Sequence, residues 1–292
     1  MAVMFRRMVV VGVGLIGGSL ALAARKHGLV DEILGYGRGE KNLRPAQRRG
    51  MIDGYFTRAK ELPQGVDLMV VATPVQATAP LTASFLPRLE PGCLVSDVGS
   101  VKAKIVREME KLLPECIPFV GAHPIAGSEQ WGAEAARADL FFGQRCILTP
   151  TRKTRSGALK KMLSLWRRVG AKVEIMDPNM HDRILGVVSH LPHVLAYAMV
   201  TTLKRTHVDS KDLRRYCGSG FKDFTRIASS RPEIWRDICL TNQRAMDQSL
   251  EAYIRRLAQL RKWIRDGQGR LLEREFAKAN DVRRQLFQAT RG

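Results

Sequence analysis

The stretch Met8–Gly18, near the start of the chain, limits what the chain can fold into more than any other. Met8 and three valines lead into Gly12, Gly14 and Gly17 in G-x-G-x-x-G spacing, and an alanine- and leucine-rich helical pattern continues as far as Lys26. Strand, glycine turn and helix in that order build a dinucleotide cradle. The first glycine permits the tight turn, and the second lets the backbone approach a pyrophosphate. The third lets the helix pack closely on the strand, and the helix N-terminus stabilises the anion. The motif carries weight because it sits in this strand–turn–helix setting.

The same alternation repeats through the first half of the chain. Met8–Val13, Glu32–Tyr36, Asp67–Ala72, Leu94–Val98 and Phe119–Gly121 read as strands. Helical patterns lie between them, around Gly17–Lys26, Leu43–Arg49, Gln76–Leu86 and Val101–Leu113. Nearly continuous apolar strands alternating with helices predict a parallel sheet covered on both faces. Cys146–Thr149 and Lys172–Ile175 read as further strands flanking a helix at Ser156–Val169. After about Asp177 the strands stop. A helix over Met180–Lys204 restarts at Pro192, and Pro232 opens a longer one whose apolar positions run from Ile238 to Ile264 at helical spacing. Gly267 ends it, and a last helix covers Leu271–Leu286. The expected fold is therefore α/β: a Rossmann-type dinucleotide-binding domain over residues 1–176, then an all-α domain over 177–292. The long apolar stripe of the second half exceeds what one helix in a small domain buries, which predicts a homodimer through the helical half.

Five further clusters bear on the chemistry. Gly35-Tyr36-Gly37-Arg38 ends the second strand without the acid that usually holds the adenosine ribose; Arg38 either pairs with a 2′-phosphate or stacks on adenine, so NAD and NADP both stay open. Gly12, Gly14, Leu15, Ile16, Gly17, Arg38 and Thr73 are the candidate cofactor contacts. Ser96–Lys102 leaves a strand C-terminus and enters a helix, where Ser100 is either an N-cap or a site residue. Gly121–Glu129 places His123 beside Pro124 at another strand end, and an imidazole titrating near neutrality suits a general base. In the second half, His181, His190 and His193 lie close in sequence, but one i, i+3 pair gives no convergent ligand set, so no metal is expected. Lys222 and Arg226, spaced i, i+4, offer a clamp for a carboxylate or an ordinary solvated basic face, and the glycines and aromatics around them favour the closer, less solvated site.

Composition narrows the partners. Forty-eight Lys and Arg against 28 Asp and Glu give a formal charge of +20. The basic residues are dispersed, in short pairs such as Arg214-Arg215 and Arg255-Arg256, without alternating aromatics. That pattern suits solvated helix faces that attract an anionic small molecule, and no nucleic acid partner is expected. The five cysteines have no C-x-x-C pair, which suits free thiols in a reducing compartment. With no signal-peptide pattern and no long uninterrupted apolar run, the expectation is a cytoplasmic protein without a membrane partner.

Taken in order along the chain, these motifs resemble the prephenate/arogenate dehydrogenase family. The matching parts are Gly12–Ser19, Asp97–Lys102, the H-P-I-A-G-S-E run at His123–Glu129, S-H-L-P-H at Ser189–His193, and Gly220–Ala228. The resemblance implies oxidative decarboxylation of prephenate or arogenate, with hydride transfer to NAD(P). It implies that His123 is the catalytic base, that Ser100 hydrogen-bonds to it, and that Arg226 holds a substrate carboxylate. Glu129, His181, His193, Lys222 and Trp235 match the family's substrate-side positions. Gly37 departs from the family's usual acid. The resemblance would leave no room for an N-terminal chorismate mutase domain or a C-terminal ACT domain. The residues alone leave two other readings open: a different two-domain hydroxyacid dehydrogenase, and a non-catalytic dinucleotide sensor.

Overall fold

The structure is a computed structural model that describes residues 3–127, 130–208 and 211–288. It divides into two compact units, residues 1–243 and 244–292.

The first unit is built on an eight-stranded sheet. Its strands are β1 (Phe5–Val11), β2 (Val30–Tyr36), β3 (Gly54–Phe56), β4 (Leu68–Val71), β5 (Leu94–Asp97), β6 (Phe119–Pro124), β7 (Arg145–Thr149) and β8 (Lys172–Ile175). The spatial order is β3-β2-β1-β4-β5-β6-β7-β8. Strands β1 to β6 are parallel in the order of a doubly wound fold, which opens a ligand crevice beyond the strand C-termini where β1 and β4 diverge. The strands read at Cys146–Thr149 and Lys172–Ile175 extend this sheet, with β7 antiparallel to β6 and β8 parallel to β7. The short edge strand β3 has no counterpart in the sequence expectation.

Both faces are covered, as the apolar strands require. Along β1, Met8 and Val10 enter one core cluster with Leu20 and Ala24 of α1 (Leu15–Lys26) and Met162 and Trp166 of α5 (Ser156–Arg168). Val9 and Val11 enter the other, with Phe85 of α3 (Thr78–Phe85) and Ile105 and Met109 of α4 (Ala103–Leu112). Each such aliphatic side chain contributes about 1.5–3 kcal/mol when fully buried. Helix α2 (Glu40–Arg48) adds Leu43 and Ala46 to the first cluster.

Several helices of the second half stay with this unit. Helix α6 (Pro178–Leu185) is capped by Asp177, which accepts from the Asn179 and Met180 amides, and it passes through a π turn at Gly186–His190 into α7 (Leu191–Arg205). By length and composition the Pro178–Arg205 run is apolar enough to cross a membrane. Yet it buries His181, Asp182 and His190, which are hydrogen-bonded to the sheet's loops and to Asn242. Its exposed flank carries Ile184, Val187, Val188, Met199 and Val200. Helix α8 (Ser219–Thr225) packs on α7. Helix α9 (Pro232–Thr241) sinks Ile238 into the core on the α3–α4 face and then stops, because Asn242 leaves helical geometry at φ −104, ψ 37. The helix read as continuous from Pro232 is thus two.

The second unit is a pair of helices, α10 (Gln243–Arg265) and α11 (Gly269–Gln288), turned at Gly267, whose φ of +66 suits a residue without a Cβ. An Arg256–Glu275 ion pair of 3.2 Å ties them, while Ile254, Leu257, Ile264, Leu271, Phe276 and Val282 stay exposed.

Candidate active site

The glycine loop behaves as its spacing predicts. Gly12 has φ +97, and a Cβ there would meet the Ala72 carbonyl oxygen at 2.5 Å. At Gly17 a Cβ would lie 2.3 Å from the Gly12 carbonyl oxygen, so helix and turn touch backbone to backbone. Gly14 faces open space and serves as N-cap of α1 with no side chain capping it and no acid in the first turn. The amides of Leu15, Ile16 and Gly17 therefore point from a positive helix end toward a gap that an anion can fill. At the adjoining end of β4, Thr73 Oγ1 is buried and has no hydrogen-bond partner among the described residues. Arg38 is exposed beyond β2, and a Cβ on Gly37 would make ordinary contacts with Leu43 at 3.4–3.5 Å. This cradle fits a dinucleotide.

Beyond β5 and β6 the strand ends are fastened by a buried ion pair. Lys102 and Asp97 are both fully enclosed and joined Nζ to Oδ2; Lys102 Nζ also donates to the Ala122 carbonyl at 2.8 Å, and Asp97 accepts from the Gly99 amide at 2.8 Å. Burial holds the Lys102 ammonium below its ordinary pKa, with Asp97 opposing. A pair like this is costly to break from one side, since the remaining charge would be stranded. It clamps the turn that carries Ser100 against the strand that carries His123.

His123 sits near the end of β6, 8% exposed, with its Nδ1 2.8 Å from Nε2 of His181. His181 Nδ1 lies 2.8 Å from Asp182 Oδ1. The Asp182 carboxylate also accepts from the Lys102 amide at 2.7 Å and the Ala103 amide at 2.9 Å, capping α4 from outside. Asn242 Nδ2 donates to the Asp182 carbonyl at 2.9 Å and contacts His190 Nδ1 at 3.1 Å. His190 meets the edge of Trp235, and His193 stacks on that indole at 3.5 Å and 17°. One connected set thus runs from the Ser100 turn to Trp235. Burial drives all four imidazoles toward the neutral form: His123 falls well below the usual range, His181 and His193 fall, and His190 drops to about 4.

The expected residues fare differently. His123 and the glycine loop share the C-terminal edge of the sheet. Among the described residues no hydrogen bond joins Ser100 to His123, whose Nδ1 pairs with His181. Nor does Ser100 cap α4, since Asp182 does so. His181, matched above to a substrate-side position, is fully buried here, and both its ring nitrogens are engaged by protein. Lys222 lies within α8 and Arg226 directly after it, and both are exposed, so the less solvated setting expected for the pair is absent from the single chain. Glu129 lies outside the described residues. Sequence reasoning missed Asp182 and Asn242, and took Lys102 only as part of a motif. Among the described residues no three His, Cys, Asp or Glu side chains converge as metal ligands.

A glycine-rich nucleotide cradle and a buried, neutral histidine on one sheet edge define a dinucleotide-dependent oxidoreductase. The profile of the prephenate dehydrogenase nucleotide-binding domain matches residues 20–175, and that of the prephenate dehydrogenase dimerization domain matches residues 177–278. The chain belongs to the prephenate dehydrogenase family. It is 35% identical to the prephenate dehydrogenase of Bacillus subtilis (strain 168), over 93% of this chain and 74% of that one. Among solved structures it is similar to the prephenate dehydrogenase from A. aeolicus in complex with hydroxyphenyl propionate and NAD+. There the TM-score is 0.91 at 37% identity, covering 97% of this chain and 99% of that one. It is also similar to Synechocystis arogenate dehydrogenase, with a TM-score of 0.80 at 30% identity, covering 95% and 98%.

Proposed function

We propose that this chain oxidatively decarboxylates prephenate, or its amino analogue arogenate, with hydride transfer to NAD(P). The observation that carries this reading is His123, neutral and fixed at the sheet edge that also holds the glycine cradle. When bound, the nicotinamide supplies the hydride acceptor. Gly12, Gly14 and Gly17, with the Leu15 and Ile16 amides and Thr73, would hold the nucleotide, and Arg38 would serve its adenosine end.

Prephenate carries a ring carboxylate, a pyruvyl side chain and a ring hydroxyl on the carbon that loses hydride. His123 takes the hydroxyl proton, so the oxygen's electrons can form a carbonyl as the C–H pair departs. The C–CO2 bond then breaks, its electron pair enters the ring, and the aromatic oxygen recovers a proton from His123. Aromatisation supplies the driving force, and the protein's task is one base and a fixed geometry. Arg226 and Lys222 supply cations for the carboxylates, and Ser100, His193, Trp235 and Glu129 complete the substrate side. His181 acts on His123.

The A. aeolicus relative binds NAD+, and here the absence of an acid at Gly37 leaves NADP accepted as well. The exposed apolar flanks of α6–α7 and of α10–α11 support a homodimer through the helical half. The deciding experiment is a steady-state assay over both substrates and both cofactors, with His123→Asn as control. Turnover should fall roughly 10²–10⁴-fold in the variant while KM changes little. Wild-type protein that turns over neither substrate defeats the reading.

A further inference from the structure

Asp182 does more than cap a helix. Its carboxylate has three neighbours, and two are backbone amides, of Lys102 and Ala103, that can only donate. Asp182 is therefore held as an acceptor, and the third neighbour, His181 Nδ1 at 2.8 Å, must carry the hydrogen between them. A neutral His181 with its hydrogen on Nδ1 presents a lone pair at Nε2. That lone pair faces His123 Nδ1 at 2.8 Å, so His123 Nδ1 must be the donor. The second lone pair of the chain then falls on His123 Nε2. Among the described residues Nε2 makes no hydrogen bond. Were His181 doubly protonated, two N–H groups would meet and the order would fail. Burial of both rings and the nearby Lys102 cation oppose that state.

We infer that Asp182, acting through His181, is a positioning residue that fixes His123 in the tautomer whose Nε2 is free to accept a proton. This inference rests on the reading of His123 as the general base. It gives Asp182 and His181 a shared role: they orient the ring, choose its tautomer, and strengthen their hydrogen bond once His123 becomes positively charged. The transferred proton sits on Nε2, and Nδ1–H still points at His181, so no proton needs to travel along the chain. Asp182 also joins this choice to the Ser100–Lys102 turn, because one carboxylate holds both.

Nitrogen NMR of the full-length protein tests the inference without turnover. Protein labelled with 15N-histidine is recorded at pH 7.5, and the His123 signals are assigned by their loss in His123→Asn. The expected pattern is a protonated Nδ1 and an unprotonated Nε2 on His123, and a protonated Nδ1 on His181. A protonated Nε2 on His123 overturns the inference. His181→Phe, which keeps the ring volume and the Asp182 cap, should let His123 exchange between tautomers. It should lower kcat by about 10²-fold with KM within about threefold. A variant that folds and keeps wild-type kcat overturns the inference too; if it does not fold, the wild-type spectrum decides alone. Failure of the functional reading looks different: neither prephenate nor arogenate is turned over, whichever tautomer is seen.

Discussion

Lowering the pH from 7 to 5 should destabilise this protein in a window where few carboxylates titrate. His190 is fully buried, and burial lowers its pKa from 6.5 to about 4. Because the folded value lies below the unfolded one, the unfolded chain binds more protons between those two limits. The contribution of His190 is thus fully present above pH 6.5 and is lost as pH falls toward 4. The whole displacement is worth about 3 kcal/mol, and about 2 kcal/mol of it disappears between pH 7 and 5. His123, His181 and His193 shift in the same direction, so they deepen the loss. Urea unfolding at half-unit pH steps measures it. His190→Gln, whose amide oxygen can still accept from Asn242, should remove about 2 kcal/mol of the pH 7-to-5 difference whatever its effect on absolute stability. A wild-type protein equally stable at pH 7 and 5 refutes the claim that these imidazoles are buried neutral, and so does a variant with the wild-type slope.

Gly37→Asp has room for its Cβ beside Leu43 and should raise the NAD/NADP ratio of kcat/KM by roughly tenfold or more, about 1.4 kcal/mol; an unchanged ratio places discrimination elsewhere. Arg226→Ala should raise KM by about tenfold or more while kcat changes little, and a silent mutation returns Arg226 to an ordinary solvated cation. Sedimentation at micromolar concentration should show a dimer, because the apolar side chains left exposed on α6–α7 and α10–α11 need covering; a stable monomer sinks that assignment.

Much of the Rossmann half is legible in the sequence because its signals are local. An apolar run the length of a strand, a glycine triplet and an amphipathic helix are each readable within a dozen residues, and β1, β2, β4, β5 and β6 fall where the sequence places them. Strand direction is not local. Nothing in Cys146–Thr149 distinguishes an antiparallel partner of β6 from a parallel one, so the direction of β7 escapes a reading of the sequence. The three-residue β3 is too short for any alternation to register. The break at Asn242 is hidden because the apolar positions on either side keep helical spacing across it.

The site shows the same division more sharply. The sequence offers His123, His181, His190 and His193 as a residue type, but what a histidine does depends on what holds its second nitrogen. The sequence places His181 among the candidate substrate contacts and does not show that Asp182 and His123 occupy both sides of its ring. Asp182 carries no motif of its own; its meaning lies in the amide of Lys102, 80 residues earlier in the chain. Groups that touch a ligand tend to sit in short, glycine-marked turns, since backbone must approach there, and those turns are visible in sequence. Groups that position the reacting residue need only the right partner in space, at any separation. His123 is therefore readable from the sequence as a candidate base, whereas its contact with His181, and that of His181 with Asp182, require the fold.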